Sequence, residues 1–289
     1  NYQRLMLHDY AWSVRLAALA GEPLSDALLA RIARSARLLW AMQDATTGAV
    51  PTYGADDGSL ILPLTTCDYH DFRPIVQTIA LLTSGRRACA AGPWDEEALW
   101  LCGAAALDAP VDPTPRSAFA APVSGYFVER DTASHLFVRA VERFRHRPGH
   151  ADLLHVDLTW RGVNVALDAG TCSYNDATEP DASFDRTRFH NTVVVDGLDQ
   201  MERASRFLWA PWPNGHGARG AADVANGTTY WEGRHDGYTR LADPVTHRRA
   251  VVGLGDGRWI VADSLDGAGA HDARLHWLLP DLPFDASAH

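Results

Sequence analysis

LLHVDLTWRGVNVALD, residues 153–168, is the stretch from which the fold is read. Two short runs rich in Val, Leu, Thr and Trp flank Arg161-Gly162, a pair that suits a tight turn. The pattern therefore predicts a hairpin, with Leu153 to Trp160 running out and Val163 to Asp168 running back. Runs with the same two-residue period recur on both sides: Tyr126 to Arg130, Leu136 to Val141, Thr192 to Asp196, Val245 to Val252, Trp259 to Leu265 and Arg274 to Leu279. Turn pairs such as Asp196-Gly197 and Asp256-Gly257 punctuate them. Many strands joined by polar turns, with no helical pattern between them, predict an antiparallel β-sandwich over residues 123–289.

Upstream the period is helical. Leu5, Trp12, Leu16 and Leu19 predict one helix over Leu5 to Ala20, stopped by Gly21 and Pro23. Leu28, Ile32, Leu39 and Met42 predict a second, over Ser25 to Gln43, capped by Ser25 or Asp26. Pro74 opens a third that Gly85 ends, and Asp95 to Leu107 offers a fourth. Between Asp44 and Arg73 periodicity disappears among Gly, Pro, Asp and aromatic residues, which predicts an ordered loop carrying site residues. Pro110, Pro113, Pro115 and Pro122 mark residues 109–122 as a linker. The expected class is α+β and multidomain: a helical portion over 1–108, the linker, then the sandwich.

The 289 residues are 46% hydrophobic, enough for substantial cores, and carry a net charge of −10. That charge argues against nucleic acid as a partner, since phosphate neutralisation needs clustered cations. Any anionic ligand must therefore meet a local basic patch. The positive charge is carried by arginine, which suits bidentate carboxylate or sulfate recognition but equally reflects a GC-rich genome. Cys67, Cys89, Cys102 and Cys172 form no CxxC pair, so buried free thiols are expected. No apolar run is long enough to span a bilayer. The chain starts at Asn1 rather than Met, and so reads as a fragment whose signal is not visible.

His150 precedes the hairpin, Asp168 ends it, and His190 opens the later run in RTRFHNTVVVDGLDQ, residues 186–200. The hairpin returns Asp168 to the end of the sheet where His150 lies. Two imidazoles and a carboxylate suit Zn²⁺ with a fourth position left open. The competing reading, in which each histidine caps a turn or bonds a carbonyl, stands beside it. His155 shares a strand face with Asp157 and Thr159 and reads as half-exposed, while His247, His271 and His276 read as structural. Asp56-Asp57-Gly58 reads as a turn. GxSxG and HExxH are absent.

GHADLLHVDLTWRGVNVALDAGTCSYN (149–175), followed by RTRFHNTVVVDGLDQMERASRFLW (186–209), resembles the C-terminal β-sandwich of the heparinase II/III-like polysaccharide lyases. YGADDGSLILPLTTCDYHDFRP (53–74) resembles the last part of the incomplete α/α toroid that precedes it. The resemblance implies a larger helical portion upstream. It also implies β-elimination on an acidic, uronate-containing polysaccharide, a glycosaminoglycan of the heparan type or alginate. It implies structural zinc on His150, Asp168 and His190, a catalytic tyrosine at Tyr53, and a carboxylate-neutralising asparagine at Asn1. Periplasmic or extracellular bacterial localisation is expected with it.

Chemically, an amide on the uronate carboxylate stabilises the charge that develops as the C5 proton leaves. Tyr53 with a lowered pKa would take that proton and return one to the leaving oxygen. Arg73, Arg186 and Arg188 are the candidates to hold neighbouring carboxylates. Two departures oppose activity. Pro148 stands where the family places a catalytic histidine, with His146 close by as a substitute only if the loop bends differently, and Tyr2 follows Asn1 where many members have histidine. The alternative is a non-catalytic glycan-binding or surface-polysaccharide assembly module on a lyase scaffold.

Overall fold

The computed structural model describes residues 1–145, 149–174, 184–220 and 227–283. The chain divides into two compact units, one of residues 1–50 and 56–119, the other of 51–55 and 120–289.

The first unit holds α1 (Tyr2–Leu19), α2 (Asp26–Met42), α3 (Arg73–Ser84) and α4 (Asp95–Cys102). The Ser25 hydroxyl accepts the Leu28 N–H at the start of α2. Pro74 sits in the first turn of α3, and Gly85 ends that helix in the left-handed conformation, φ 66°. The other three helices pack on α3, whose Ile75, Val76 and Ile79 are buried. Among the described residues these four helices do not close a toroid.

Two expectations about the helices are corrected. The core face of α1 is Leu7, Ala11 and Val14, whereas Leu16 and Leu19 are 57% and 66% exposed. Both sets satisfy helical spacing, and the neighbouring helices met the one with smaller side chains. Helix α4 stops at Cys102 rather than Leu107, because Gly103 at φ 87° breaks it into a 3₁₀ turn over Ala104–Asp108.

The loop between α2 and α3 is ordered by side chains. Asp44 Oδ1 accepts the N–H groups of Thr46 and Thr47 at 2.9 and 2.8 Å. Gly48, at φ 77°, is required there, since a Cβ would lie 2.0 Å from Asp71 Oδ1. The proline-rich segment is also tied down: Arg87 N–H donates to Pro110 O, and Asp112 N–H donates to Arg87 O. Proline lacks a donor, but its carbonyl still accepts.

The second unit is antiparallel β. One sheet has the order β1-β2-β3-β4-β5, from Phe119–Ala121, Tyr126–Arg130, Ser134–Arg139, Val156–Trp160 and Val163–Ala166. Along the chain follow β6 (Val193–Val195), β7 (Glu202–Ser205), β8 (Leu208–Ala210), β9 (Gly215–Arg219), β10 (Thr229–Tyr238), β11 (Val245–Gly253), β12 (Trp259–Asp266) and β13 (Ala273–Leu275). The second sheet is β12-β11-β10-β9, and β13-β6 and β7-β8 are separate pairs. Phe127, Leu136, Val138 and Val156 of the first sheet pack against Trp231 and Val251 of the second, which makes the unit a sandwich. β10 has no clean alternation in sequence because Gly233 interrupts it. A Cβ there would come within 2.5 Å of the Trp231 ring, so the glycine makes room for the core tryptophan.

Within the second sheet His235 Nδ1 accepts the Gly237 N–H, His235 Nε2 lies 3.2 Å from His247 Nδ1, and His247 Nε2 lies 2.7 Å from Asp263 Oδ1. Burial pushes His235 well below 6.5 and lowers His247 as well. Both are therefore neutral when folded and protonate more readily when unfolded. Stability from this pair is complete above about pH 6.5 and lost as pH falls below it, by up to ~1.4 kcal/mol per pH unit per group. The thermal midpoint should fall between pH 7.5 and 5.5, and His235→Asn should flatten that slope. An equal slope in the variant would remove the pair as its source.

Candidate functional site

Folding brings His150, Asp168 and His190 together. One ligand-type atom from each lies within 4.8 Å of the others, and all three are buried. His190 Nδ1 is 2.9 Å from Asp168 Oδ2, and the His150 and His190 rings are 5.3 Å apart. The β4–β5 hairpin turns at Arg161 and Gly162, φ 49° and 81°, which brings Asp168 back toward His150 as its sequence requires. Asn191 then fixes the backbone beside His190. Its side chain donates to Val156 O and Leu167 O at 2.9 and 3.0 Å and accepts from Leu278 N–H at 2.6 Å.

His190 Nε2 and His150 Nδ1 are buried without a hydrogen-bond partner among the described residues. Two such imidazoles beside a carboxylate match the donor set of a divalent cation such as Zn²⁺. Burial pushes His150 down to about 4. Burial would raise Asp168, but the charges of His190 and His155 hold it below the carboxylate range. Burial would lower His190, and the Asp168 carboxylate outweighs it, leaving His190 raised.

His155 joins this cluster, against the half-exposed reading: it is 1% exposed, as is Asp157, and Thr159 is 8%. Its Nδ1 accepts the Asn191 N–H at 3.0 Å, and its Nε2 lies 3.6 Å from Asp168 Oδ2. Leu154 at φ 60° interrupts the extended backbone just before His155, so simple alternation misplaces it.

Arg249, fully buried on β11, ties the cluster to the second sheet. It donates to Leu154 O and Asn191 O at 2.7 and 2.6 Å and forks onto Asp263 through Nε and Nη2 at 2.8 and 2.9 Å. Arg249→Met should cost about 3–5 kcal/mol, because it leaves Asp263 with His247 but no guanidinium and takes the charged donor from two buried carbonyls. Denaturant unfolding measures this, and a loss under about 1 kcal/mol would contradict the role.

Tyr53 belongs to the second unit. Its ring lies 5.2 Å from Phe137 in a stacked arrangement and 5.0 Å from Tyr126. Arg139, ion-paired with Asp152, is close by: a Cβ added to Gly54 would sit 4.0 Å from its Nη1. Burial, followed by Tyr126, pushes the Tyr53 phenol well above 10, while Arg139 acts in the opposite direction. The expected lowering of its pKa is therefore not found; the phenol is protonated at neutral pH.

The sequence pattern of the heparinase II/III-like C-terminal region matches residues 113–287. The chain belongs to the heparinase II/III-like family. No curated protein sequence matches it. Among solved structures it is similar to a heparinase III, at 15% identity and TM-score 0.66, over 99% of this chain and 40% of that one. It is also similar to a heparan sulfate lyase from Pedobacter heparinus, at 14% identity and TM-score 0.67, over 96% of this chain and 39% of that one. The heparinase II/III-like chain thus spans about two fifths of the length of these structures, and at such identity the likeness is one of fold.

The remaining site residues of this heparinase II/III-like chain are dispersed. Asn1 lies in the first unit, where its Nδ2 donates to Asp57 Oδ1 at 2.8 Å and Tyr2 Oη donates to Asp57 Oδ2 at 2.9 Å. Arg73, also in the first unit, forks onto Asp71 and lies 3.9 Å over the Trp94 ring. Arg186 pairs with Asp199 at 2.9 Å, and Arg188 lies over Phe189. His146 and Pro148 fall outside the described residues. The cysteines are free, but of the four only Cys89 is buried; Cys67 and Cys102 are partly exposed and Cys172 is exposed. No helix among the described residues is long and apolar enough to cross a membrane.

Proposed function

We propose that this chain is the C-terminal part of a polysaccharide lyase acting by β-elimination on an acidic, uronate-containing glycan, of the glycosaminoglycan or alginate type. The observation that carries the reading is the Tyr53 stack beside Arg139, in the unit that also holds the His150, Asp168 and His190 cluster. In the reaction the C5 proton is removed, its electron pair forms the C4–C5 double bond, and the C4–O bond breaks with protonation of the leaving oxygen. The protonated Tyr53 phenol suits that last transfer directly. For it to serve as base as well, its proton must first leave toward solvent or substrate, which Arg139 favours. Asn1 neutralises the substrate carboxylate, and Arg73, Arg186 and Arg188 hold neighbouring ones.

His150, Asp168 and His190 hold a zinc ion in this reading. When bound, the ion supplies a cross-link between the β4–β5 hairpin and the start of β6, not a reacting centre. A periplasmic or extracellular bacterial setting suits a polymeric substrate. The test is formation of unsaturated, ultraviolet-absorbing product by the full-length protein and its loss in Tyr53→Phe. The raised Tyr53 phenol favours one second reading, a non-catalytic glycan-binding or polysaccharide-assembly module, which any such product from purified protein would exclude.

A further inference from the structure

We propose that the β unit carries an anion-binding track for an acidic oligosaccharide, running from Tyr126 past Arg143 and Arg145 to Arg234. The choice of a glycan as ligand rests on the reading above; the track itself rests on geometry. Two concavities meet at Asn214. The first, of about 630 Å³, is lined by Tyr126, Arg143, Arg145 and Glu142, and the second, of about 280 Å³, by His216, Arg234, Asp236 and Thr246. Tyr126 is the ring against which Tyr53 packs, so the track begins beside the proposed catalytic group.

Backbone constraints build the first concavity. Phe144 is fully buried, and its N–H donates to Pro213 O at 3.0 Å. Pinning the middle residue of Arg143-Phe144-Arg145 inward leaves both arginines exposed. Gly215 allows the close approach that forms the floor, since a Cβ there would lie 2.5 Å from Val141 O. In the second concavity His216 lies directly opposite Arg234, and Arg234 directly opposite Arg248. The guanidinium groups of Arg234 and Arg248, opposite each other on neighbouring strands, are unfavourable neighbours unless an anion meets them.

The local acids form no close ion pair with these arginines: Glu142, exposed in the first concavity, has no ion-pair partner among the described residues. Asp236 is occupied by the N–H and Nδ2 of Asn214 at 2.6 and 2.9 Å. Glu232 accepts from Tyr230 Oη and reaches Arg248 only at 4.0 Å. Elsewhere in the β unit Arg186, Arg203, Arg219, Arg240, Arg249 and Arg258 each have a carboxylate partner. Arg143, Arg145 and Arg234 have none among the described residues. In a chain of net charge −10, exposed unpaired arginines gathered along one surface are a site for sulfate or carboxylate groups.

The test is calorimetric binding of size-defined oligosaccharides to the full chain carrying Tyr53→Phe, which separates binding from cleavage. A heparin hexasaccharide presents sulfates and a guluronate hexamer only carboxylates, so their difference identifies the anion. The triple variant Arg143→Gln, Arg145→Gln, Arg234→Gln should weaken whichever ligand binds by at least about tenfold and reduce the salt dependence of binding. A control that removes two arginine charges away from the track, Arg161→Gln with Arg258→Gln, should stay within about twofold of the parent. Affinity unchanged in the triple variant, an equal loss in the control, or no binding of either ligand to the parent overturns the track. Because no cleavage is read, its failure is distinct from failure of the lyase reading.

Discussion

Tyr53→Phe is expected to lower the rate of unsaturated product formation by about 10²–10⁴-fold, the usual contribution of a positioned proton-transfer group. The change deletes only the hydroxyl. The ring contacts with Phe137 and Tyr126 survive, so folding should lose no more than about 1 kcal/mol for the hydrogen bond to Tyr126. Loss of turnover with intact thermal stability therefore isolates proton transfer from structure. The pH profile has a defined sign. Burial holds the phenol above 10, so the tyrosinate population grows as pH rises, and a limb that needs the base form must climb toward alkaline pH. Arg139→Gln should move that limb further up, because Arg139 pulls the phenol down. Unchanged turnover in Tyr53→Phe would remove the assignment, and a profile falling with pH would leave Tyr53 only as an acid.

His190→Ala is expected to abolish the proposed zinc binding, one ion per chain, and to cost about 3–5 kcal/mol of stability. Asp168 is buried and held ionised by its histidine neighbours, chiefly His190 at 2.9 Å. Removing that ring leaves a carboxylate charge in a low-dielectric site whose nearest remaining imidazole, His155 at 3.6 Å, is itself pushed down to about 4 by burial and supplies no charge at neutral pH. Elemental analysis of untreated protein and thermal melts with and without a chelator measure the two parts separately. Untreated parent protein without divalent metal would sink the zinc assignment. A melt unaffected by the substitution would sink the structural role.

The parts of the fold legible in sequence were those set by local chemistry. Pro74 and Gly85 bound α3 because one fits a helical first turn and the other tolerates positive φ. Arg161-Gly162 makes the hairpin turn for the same reason, and the turn is what made His150 and Asp168 readable as neighbours. β10 escaped because its Gly233 makes room for the Trp231 ring rather than following any local pattern. His155 escaped because one left-handed residue, Leu154, precedes it. Arg139 and Arg249 carry no local signal either, as Arg139 meets Asp152 in the segment between β3 and β4 and Arg249 meets Asp263 on the neighbouring strand β12.

By itself the sequence determined the α-then-β order, the hairpin, and through it the return of Asp168 toward His150, since each follows from residue types acting over a few positions or one turn; His190 joined them only through the family resemblance. Tertiary structure decided what those residues experience. It brought His155 and His190 together and set Asn191 beside them, buried Tyr53 among rings so that its phenol stays protonated, and left Arg143, Arg145 and Arg234 without carboxylate partners among the described residues. Burial and charge are properties of neighbours distant in the chain, and no local pattern encodes them.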